Sequence, residues 1–212
     1  MILNPDKTKI MIINYCSAYQ FKTRLSVDNS MIEQVDQTKL LGVVLSDDLT
    51  WQANTKCLVK KAYTRMIILR RLNEFNVKRE DMLKIYILFI RVVIEQSSVV
   101  WSSSLTLNDL ESLERTQKVA LRIIFQNEYI SYKNALELSG LQSMKDRYSK
   151  LLYKFAIKCI KNPKTQDIIE KNNVSDRLRH NEAYKVPMAK KQRLFKSAIP
   201  TMARMLNKKP VI

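Results

Sequence analysis

The sequence predicts an α+β chain that is mostly α, with a small antiparallel β region in residues 1–50, a helical bundle after it and a basic helical tail. Three observations carry this prediction. Apolar, β-prone runs stand near the start of the chain. From Trp51 onward, apolar residues recur at spacings of three and four, the period of one helix face. The last third is strongly basic and its apolar pattern is weaker.

The strands are predicted in three places. Residues 9–16 form an apolar run with little alternation, which is typical of a strand covered on both faces. Residues 25–27 and 31–32 are short candidates on either side of a group of turn-forming residues. Residues 39–45 predict a third strand, in which Gly42 marks a bulge or a close approach of another group.

Four apolar stripes at helical spacing predict four helices that pack as a bundle. The stripes are Leu58, Ala62, Met66 and Leu69; Met82, Ile85, Phe89 and Val93; Leu110, Leu113, Ala120, Leu121 and Ile124; and Met144, Tyr148, Leu151, Leu152, Phe155 and Cys159. Thr106 is the predicted N-cap of the third helix, with Asp109 three residues after it, and Ser143 is the predicted N-cap of the fourth. The fourth helix is expected to end at Asn162-Pro163.

The helical spacing of apolar residues becomes less regular after Pro163. Residues 164–187 are interpreted as a loop or linker, and residues 188–207 predict a basic amphipathic helix broken at Pro200. The sequence leaves three placements open for this tail, namely docking on the bundle, lying on nucleic acid, or remaining mobile.

The composition excludes several kinds of site. The chain has only two glycines, Gly42 and Gly140, so it cannot contain a glycine-rich phosphate-binding loop. The single histidine and the three cysteines lack the spacing of a zinc or thiol–disulfide motif; they are His180, Cys16, Cys57 and Cys159. No run approaches the roughly 20 apolar residues of a membrane-spanning helix.

The net charge of +17 is concentrated at one end of the chain. Residues 141–212 hold 18 Lys and Arg against 5 Asp and Glu, so they supply +13 of that charge. Such a segment attracts polyanions and makes their binding dependent on salt. Nucleic acid is the leading partner class, an anionic membrane surface is the second, and a solvated tail without a partner is the third interpretation.

Several short motifs follow one another along the chain. They are NPDKTKIM at residues 4–11, LGVVL at 41–45, LTW at 49–51 and SVVW at 98–101, followed by scattered positions within 110–124, 132–147 and 196–207. Together they resemble the reverse transcriptases of non-LTR retrotransposons, the jockey-like group in particular, over nearly the whole chain. The sequence departs from the family pattern at Ser46, at Asn54 and at Ile12-Ile13.

The resemblance implies a palm remnant in residues 1–50, a helical thumb in 51–162 and a basic tail in 163–212. It places Leu41, Gly42 and Val43 in a hairpin like the primer grip, and makes Lys7 a candidate proton donor in an intact enzyme. The basic residues suited to a phosphate-facing surface are Lys60, Lys61, Arg65, Arg70 and Arg71 on the first helix and Lys190, Lys191 and Arg193 in the tail. A solvated helix face would carry the same residue types.

The metal-binding carboxylates of this family lie upstream of the segment that matches residues 4–11. We therefore expect no catalytic residue and no cofactor in this chain, and Mg²⁺ only in an intact polymerase. Asp47-Asp48 is interpreted as a turn, because no motif positions a third carboxylate near it.

The expected activity is sequence-independent binding to RNA or an RNA–DNA duplex by a fragment of an RNA-directed DNA polymerase. The missing palm or another chain is a further expected partner along strand edges that a larger sheet would cover. Three alternatives stay open: an active reverse transcriptase whose gene model is truncated, a basic helical module for protein interaction or membrane surfaces, and a decayed copy without a selected function.

Overall fold

The structure is a computed structural model that describes residues 4, 7–14, 24–27, 30–172 and 182–208. Two of the residues considered for thiol or metal chemistry, Cys16 and His180, lie outside the described residues. The described chain has short strands in its first part and helices in the rest, as the sequence predicts for a mostly α, α+β chain.

Among the described residues, six short strands form three separate two-stranded ladders. The strands are β1 (Lys9–Ile10), β2 (Ser26–Val27), β3 (Ser30–Met31), β4 (Glu33–Gln34), β5 (Gln37–Leu40) and β6 (Val43–Ser46). The β2–β3 and β5–β6 pairs are antiparallel, whereas β1 and β4 are parallel. The prediction of a wholly antiparallel β region is therefore wrong for the β1–β4 pair, which joins strands that are distant in sequence.

Two of the predicted strands differ from the structure. The apolar run from residue 9 is a strand only at Lys9–Ile10, and Ile13 is 38% exposed, so a strand covered on both faces is wrong there. The continuous strand over 39–45 is also wrong, because Leu41 and Gly42 form the turn between β5 and β6. Both turn residues have positive φ, +48° and +88°, as two-residue hairpin turns require.

Replacing Gly42 with alanine is expected to destabilise the hairpin by about 2 kcal/mol, because a Cβ atom there adds steric conflict to an unfavourable φ. That atom would lie 2.3 Å from Nε2 of Gln96, which must move. Gly140→Ala is the matched control, since Gly140 also has positive φ but has nothing within 4 Å of the added atom. Urea unfolding of both variants measures the difference, and equal losses would show that the Gln96 contact is unimportant.

In the part of the chain that the structure describes, ten helical segments follow the strands. They are α1 (Gln52–Glu74), α2 (Arg79–Ile85), a π-helix (Tyr86–Arg91), α3 (Val92–Glu95), α4 (Ser98–Trp101), α5 (Leu107–Phe125), α6 (Tyr132–Ser139), α7 (Met144–Lys161), α8 (Gln192–Lys196) and α9 (Ala198–Lys208). Single 3₁₀ turns occupy Ser102–Ser104, Gln126–Glu128 and Gln166–Ile168.

The predicted caps are confirmed. The hydroxyl of Thr106 accepts a hydrogen bond from the backbone N–H of Asp109 at 3.1 Å and starts α5. The hydroxyl of Ser143 accepts one from the backbone N–H of Asp146 at 3.1 Å and starts α7. Helix α7 ends at Lys161, directly before Asn162-Pro163, as predicted.

The predicted stripes supply most of the core, and two of them differ from the structure in which residue is buried. Every member of the first stripe is buried in α1. In the second stripe Phe89 is 39% exposed and Ile90 is buried instead. The π-helix explains this change, because its wider turn rotates the following residues relative to an α-helical pattern. Phe155 in the fourth stripe is likewise exposed, and Ala156 beside it is buried.

The tail docks on the bundle. Met202, Ala203 and Leu206 of α9 form a second apolar cluster with the side of α7 that carries Leu152 and Ala156. The predicted helix break at Pro200 is wrong, since the interruption falls at Ser197 and Pro200 lies in the first turn of α9. A proline is tolerated there because the first N–H groups of a helix have no partner within the helix.

A polar network runs through the bundle core. The phenol of Tyr86 donates to Oε1 of Gln117 at 2.9 Å, and the Gln117 amide donates to the Tyr132 hydroxyl and to the backbone carbonyl of Gln142. The phenol of Tyr148 donates to the backbone carbonyl of Ile94 at 2.8 Å. Burial raises the pKa of all three tyrosines above its ordinary value.

The stability of the fold is therefore expected to fall as the pH rises above about 10. Above that pH an unfolded tyrosine loses its proton while a buried one keeps it, at a cost of about 1.4 kcal/mol per pH unit for each of the buried Tyr86 and Tyr148 and less for the partly exposed Tyr132. Urea unfolding at a series of pH values measures the slope. Tyr148→Phe should reduce it, and a pH-independent stability in this range would contradict the expectation.

A second buried cluster joins three helical segments through one carboxylate. Oε1 of Glu95 lies 2.8 Å from Nε of Arg91 and 2.8 Å from Nε of Arg147, and Oε2 of Glu95 accepts from Nη2 of Arg147 at 2.9 Å. The Arg147 pair has the bidentate geometry that favours strong charge-assisted bonds. This cluster connects α3 and the π-helix to the start of α7.

Candidate nucleic-acid interface

The predicted cations of α1 are distributed around its solvent side. Lys60 and Arg71 lie opposite the buried face that carries Ala62, and Arg70 is exposed on one flank. Within the described part of the chain, none of these three cations makes an ion pair with a carboxylate. They are therefore available to an external anion.

The other flank of α1 is more constrained. Lys61 is half-buried, and the guanidinium of Arg65 stands 4.4 Å from the ring centre of Phe89 while it donates to the backbone carbonyl of Phe89. Arg65 thus ties α1 to the π-helix as a cation–π partner. Of the five predicted α1 residues, it is the most committed to the protein's own packing.

A row of lysines on α7 was not among the residues predicted from the sequence. Lys150, Lys154 and Lys158 are exposed and follow each other at a spacing of four, about 6 Å of helix rise per step. They lie on the face opposite Leu152 and Ala156 and make no ion pair among the described residues. The signal was present in the sequence as the polar complement of the fourth apolar stripe.

The predicted tail cations lie beside the hairpin. Lys190, Lys191 and Arg193 are exposed at and before the start of α8. The guanidinium of Arg193 donates to the backbone carbonyl of Asp48 at 2.5 Å. The hydroxyl of Ser104 donates to the backbone carbonyl of Lys196 at 3.1 Å and fixes the end of the same short helix.

The primer-grip-like residues form the tip of the β5–β6 hairpin. Leu41 is 91% exposed, whereas Val43 is buried in the bundle core. The backbone N–H of Val44 donates to Oδ1 of Asn54 at 3.1 Å, which attaches the hairpin to the first turn of α1. The hairpin therefore presents its turn to solvent while its second strand is anchored.

The residues considered for chemistry are Lys7, Asp47 and Asp48, and each makes local contacts. Lys7 is exposed, and its backbone N–H donates to the carbonyl of Asn4. The carboxylate of Asp48 accepts from the backbone N–H and the hydroxyl of Thr50, and that of Asp47 accepts from the N–H of Asp48. Within the described ranges, no group of three His, Cys, Asp or Glu side chains is placed to hold a metal ion.

Comparisons with protein families, curated proteins and solved structures find no match for this chain. Among the helices that the structure describes, none is both long and apolar enough to cross a lipid bilayer. The arrangement of the exposed cations is therefore the main observation that bears on function.

Proposed function

We propose that this chain binds RNA or RNA–DNA duplexes through their phosphates, without reading base sequence, as the post-palm, thumb and tail part of a non-LTR retrotransposon reverse transcriptase. Exposed Lys and Arg without carboxylate partners are suited to phosphates, since such contacts need cations and no base-specific geometry. The proposal assigns no catalytic step to the described residues. Lys7 would act as a proton donor only beside the metal-binding carboxylates of an intact polymerase.

The observation that carries the proposal is the unpaired lysine row of α7. Its three lysines lie at a spacing of four on one face of a helix of 18 residues, and that helix has Asp146 as its only acidic residue. Because the helix is already ordered, cations along it can contact successive phosphates without the cost of ordering the protein backbone. The exposed cations of α1 and of the tail supply further phosphate contacts.

A triple variant, Lys150→Gln with Lys154→Gln and Lys158→Gln, tests this assignment. It is expected to weaken RNA binding about a hundredfold at about 0.1 M salt, because three phosphate contacts no longer release counterions. Fluorescence anisotropy with a labelled RNA duplex measures the change.

The matched control removes the same charge from exposed cations that already pair with carboxylates. It is Lys84→Gln with Arg115→Gln and Lys185→Gln, whose partners are Asp81, Glu111 and Glu170. Exposed pairs of this kind contribute little to stability, so the control is expected to fold. We expect it to bind about tenfold more tightly than the α7 variant. Equal losses would show that overall charge, and not the α7 row, determines binding.

A further inference from the structure

The tail, α4 and the exit of the hairpin enclose a groove of about 1060 Å³. Its floor is apolar and includes Trp51 and Val100, Met188 stands at its exposed edge, and its rim carries Lys190 and Lys191. This volume matches the upper end of small-molecule sites, about 300–1,000 Å³. Met188 is 90% exposed, which is unusual for a large apolar side chain beside other apolar groups.

The polar groups at the groove are largely committed elsewhere. The hydroxyl of Ser104 donates to the carbonyl of Lys196, and that of Ser197 donates to the carbonyl of Leu194 at 2.7 Å. Arg193 is held by the carbonyl of Asp48. The lysines of the rim make no ion pair within the described part of the chain. The groove thus combines an apolar floor with free positive charge and few groups that could read a base edge.

We propose that this groove binds unpaired nucleotides of a single-stranded nucleic acid, a specificity that rests on the proposed function. The bases lie against Trp51 and Met188, and the phosphates lie against Lys190 and Lys191. Aromatic and apolar platforms combined with a basic rim bind single strands without sequence preference, since every base has a π-face. Bases within a duplex are already stacked and paired, so a duplex cannot use this floor.

An acidic peptide is the rival occupant with the same charge. A peptide backbone has N–H and C=O groups at every residue, and an apolar floor leaves those that face it without partners. Nucleotide bases stack through faces that need no hydrogen bond and can direct their polar edges to solvent. The floor therefore favours the nucleic acid.

The test compares Met188→Asp with Ile130→Asp in the full chain. Both residues are highly exposed, at 90% and 83%, both variants gain the same negative charge, and Ile130 does not line the groove. The probes are an oligouridylate of about 12 nucleotides and a blunt RNA duplex of about 12 base pairs. Met188→Asp is expected to weaken binding of the single strand about tenfold and of the duplex only about threefold, through its charge beside Lys190 and Lys191, while Ile130→Asp changes neither by more than about twofold.

Intrinsic fluorescence gives an independent readout. Stacking of bases on Trp51 should quench the emission of the wild-type chain, and Trp51→Phe should remove that quenching, since Trp101 is fully buried.

Equal weakening of single-strand and duplex binding by Met188→Asp would overturn the groove assignment while leaving phosphate binding intact. Failure of the wild type to bind either probe would instead refute the proposed function. Competition by an acidic peptide, abolished by Met188→Asp while oligouridylate binding persists, would assign the groove to a peptide.

Discussion

Replacing Glu95 with alanine is expected to lower the free energy of unfolding by about 3–5 kcal/mol, because it leaves the buried charge of Arg91 without its counter-ion. The side chain of Arg91 is 7% exposed and that of Glu95 is 15% exposed, so solvent replaces little of the lost interaction. The same change removes the bidentate contact with Arg147, which joins α3 to α7. Urea unfolding followed by circular dichroism measures the loss.

Two further variants isolate the cause. Glu111→Ala removes an exposed carboxylate that pairs with Arg115 on the surface of α5, and it is expected to change stability by less than about 1 kcal/mol. Combining Glu95→Leu with Arg91→Met replaces the pair by apolar groups, and it should be less destabilising than Glu95→Ala alone. A double variant that is more destabilised than the single one would contradict the explanation by buried charge.

The helical part of the fold could be predicted where the signal is local. The N-caps at Thr106 and Ser143 and the stripe from Leu58 to Leu69 depend on residues three or four apart, so the sequence shows them directly. The burial of Ile90 in place of Phe89 could not be predicted in this way. It results from a π-helix, and no residue in that segment distinguishes a π turn from an α turn.

The β region was harder to predict from the sequence, because some paired strands are not adjacent in the chain. The resemblance placed Leu41, Gly42 and Val43 in a hairpin, but the residues alone indicated only an irregularity at Gly42, because a type I′ turn also needs Leu41 to adopt positive φ, which leucine rarely does. The parallel pairing of β1 with β4 joins Lys9 to Glu33 across more than twenty residues. Sequence periodicity contains no information about such a register.

The candidate interface was predictable in its residue types and not in its arrangement. The excess of positive charge in residues 141–212 indicated a polyanion partner. Only the apolar face of α7 was considered, however, so Lys150, Lys154 and Lys158 on its polar face were not assigned to the interface. The groove could not be found from the sequence at all. It brings together Trp51, Val100 and Met188, which are distant in the chain and meet only because the tail folds back on the bundle.

Raising the salt concentration from about 50 to about 200 mM is expected to weaken binding to an RNA–DNA duplex by about three to five orders of magnitude, if six to ten phosphates are neutralised. The slope of this salt dependence measures how many of the exposed cations of α1, α7 and the tail contact phosphates at the same time. This prediction rests on counterion release and does not depend on the base sequence of the duplex.

The salt dependence of the wild-type affinity, measured on two duplexes of unrelated sequence, tests the central claim most directly. The account predicts that log K falls linearly with log salt concentration, with a slope of about −5 to −9, and that the two duplexes give the same line. A slope near zero, or affinities that differ by orders of magnitude between the two sequences, would contradict phosphate-led binding.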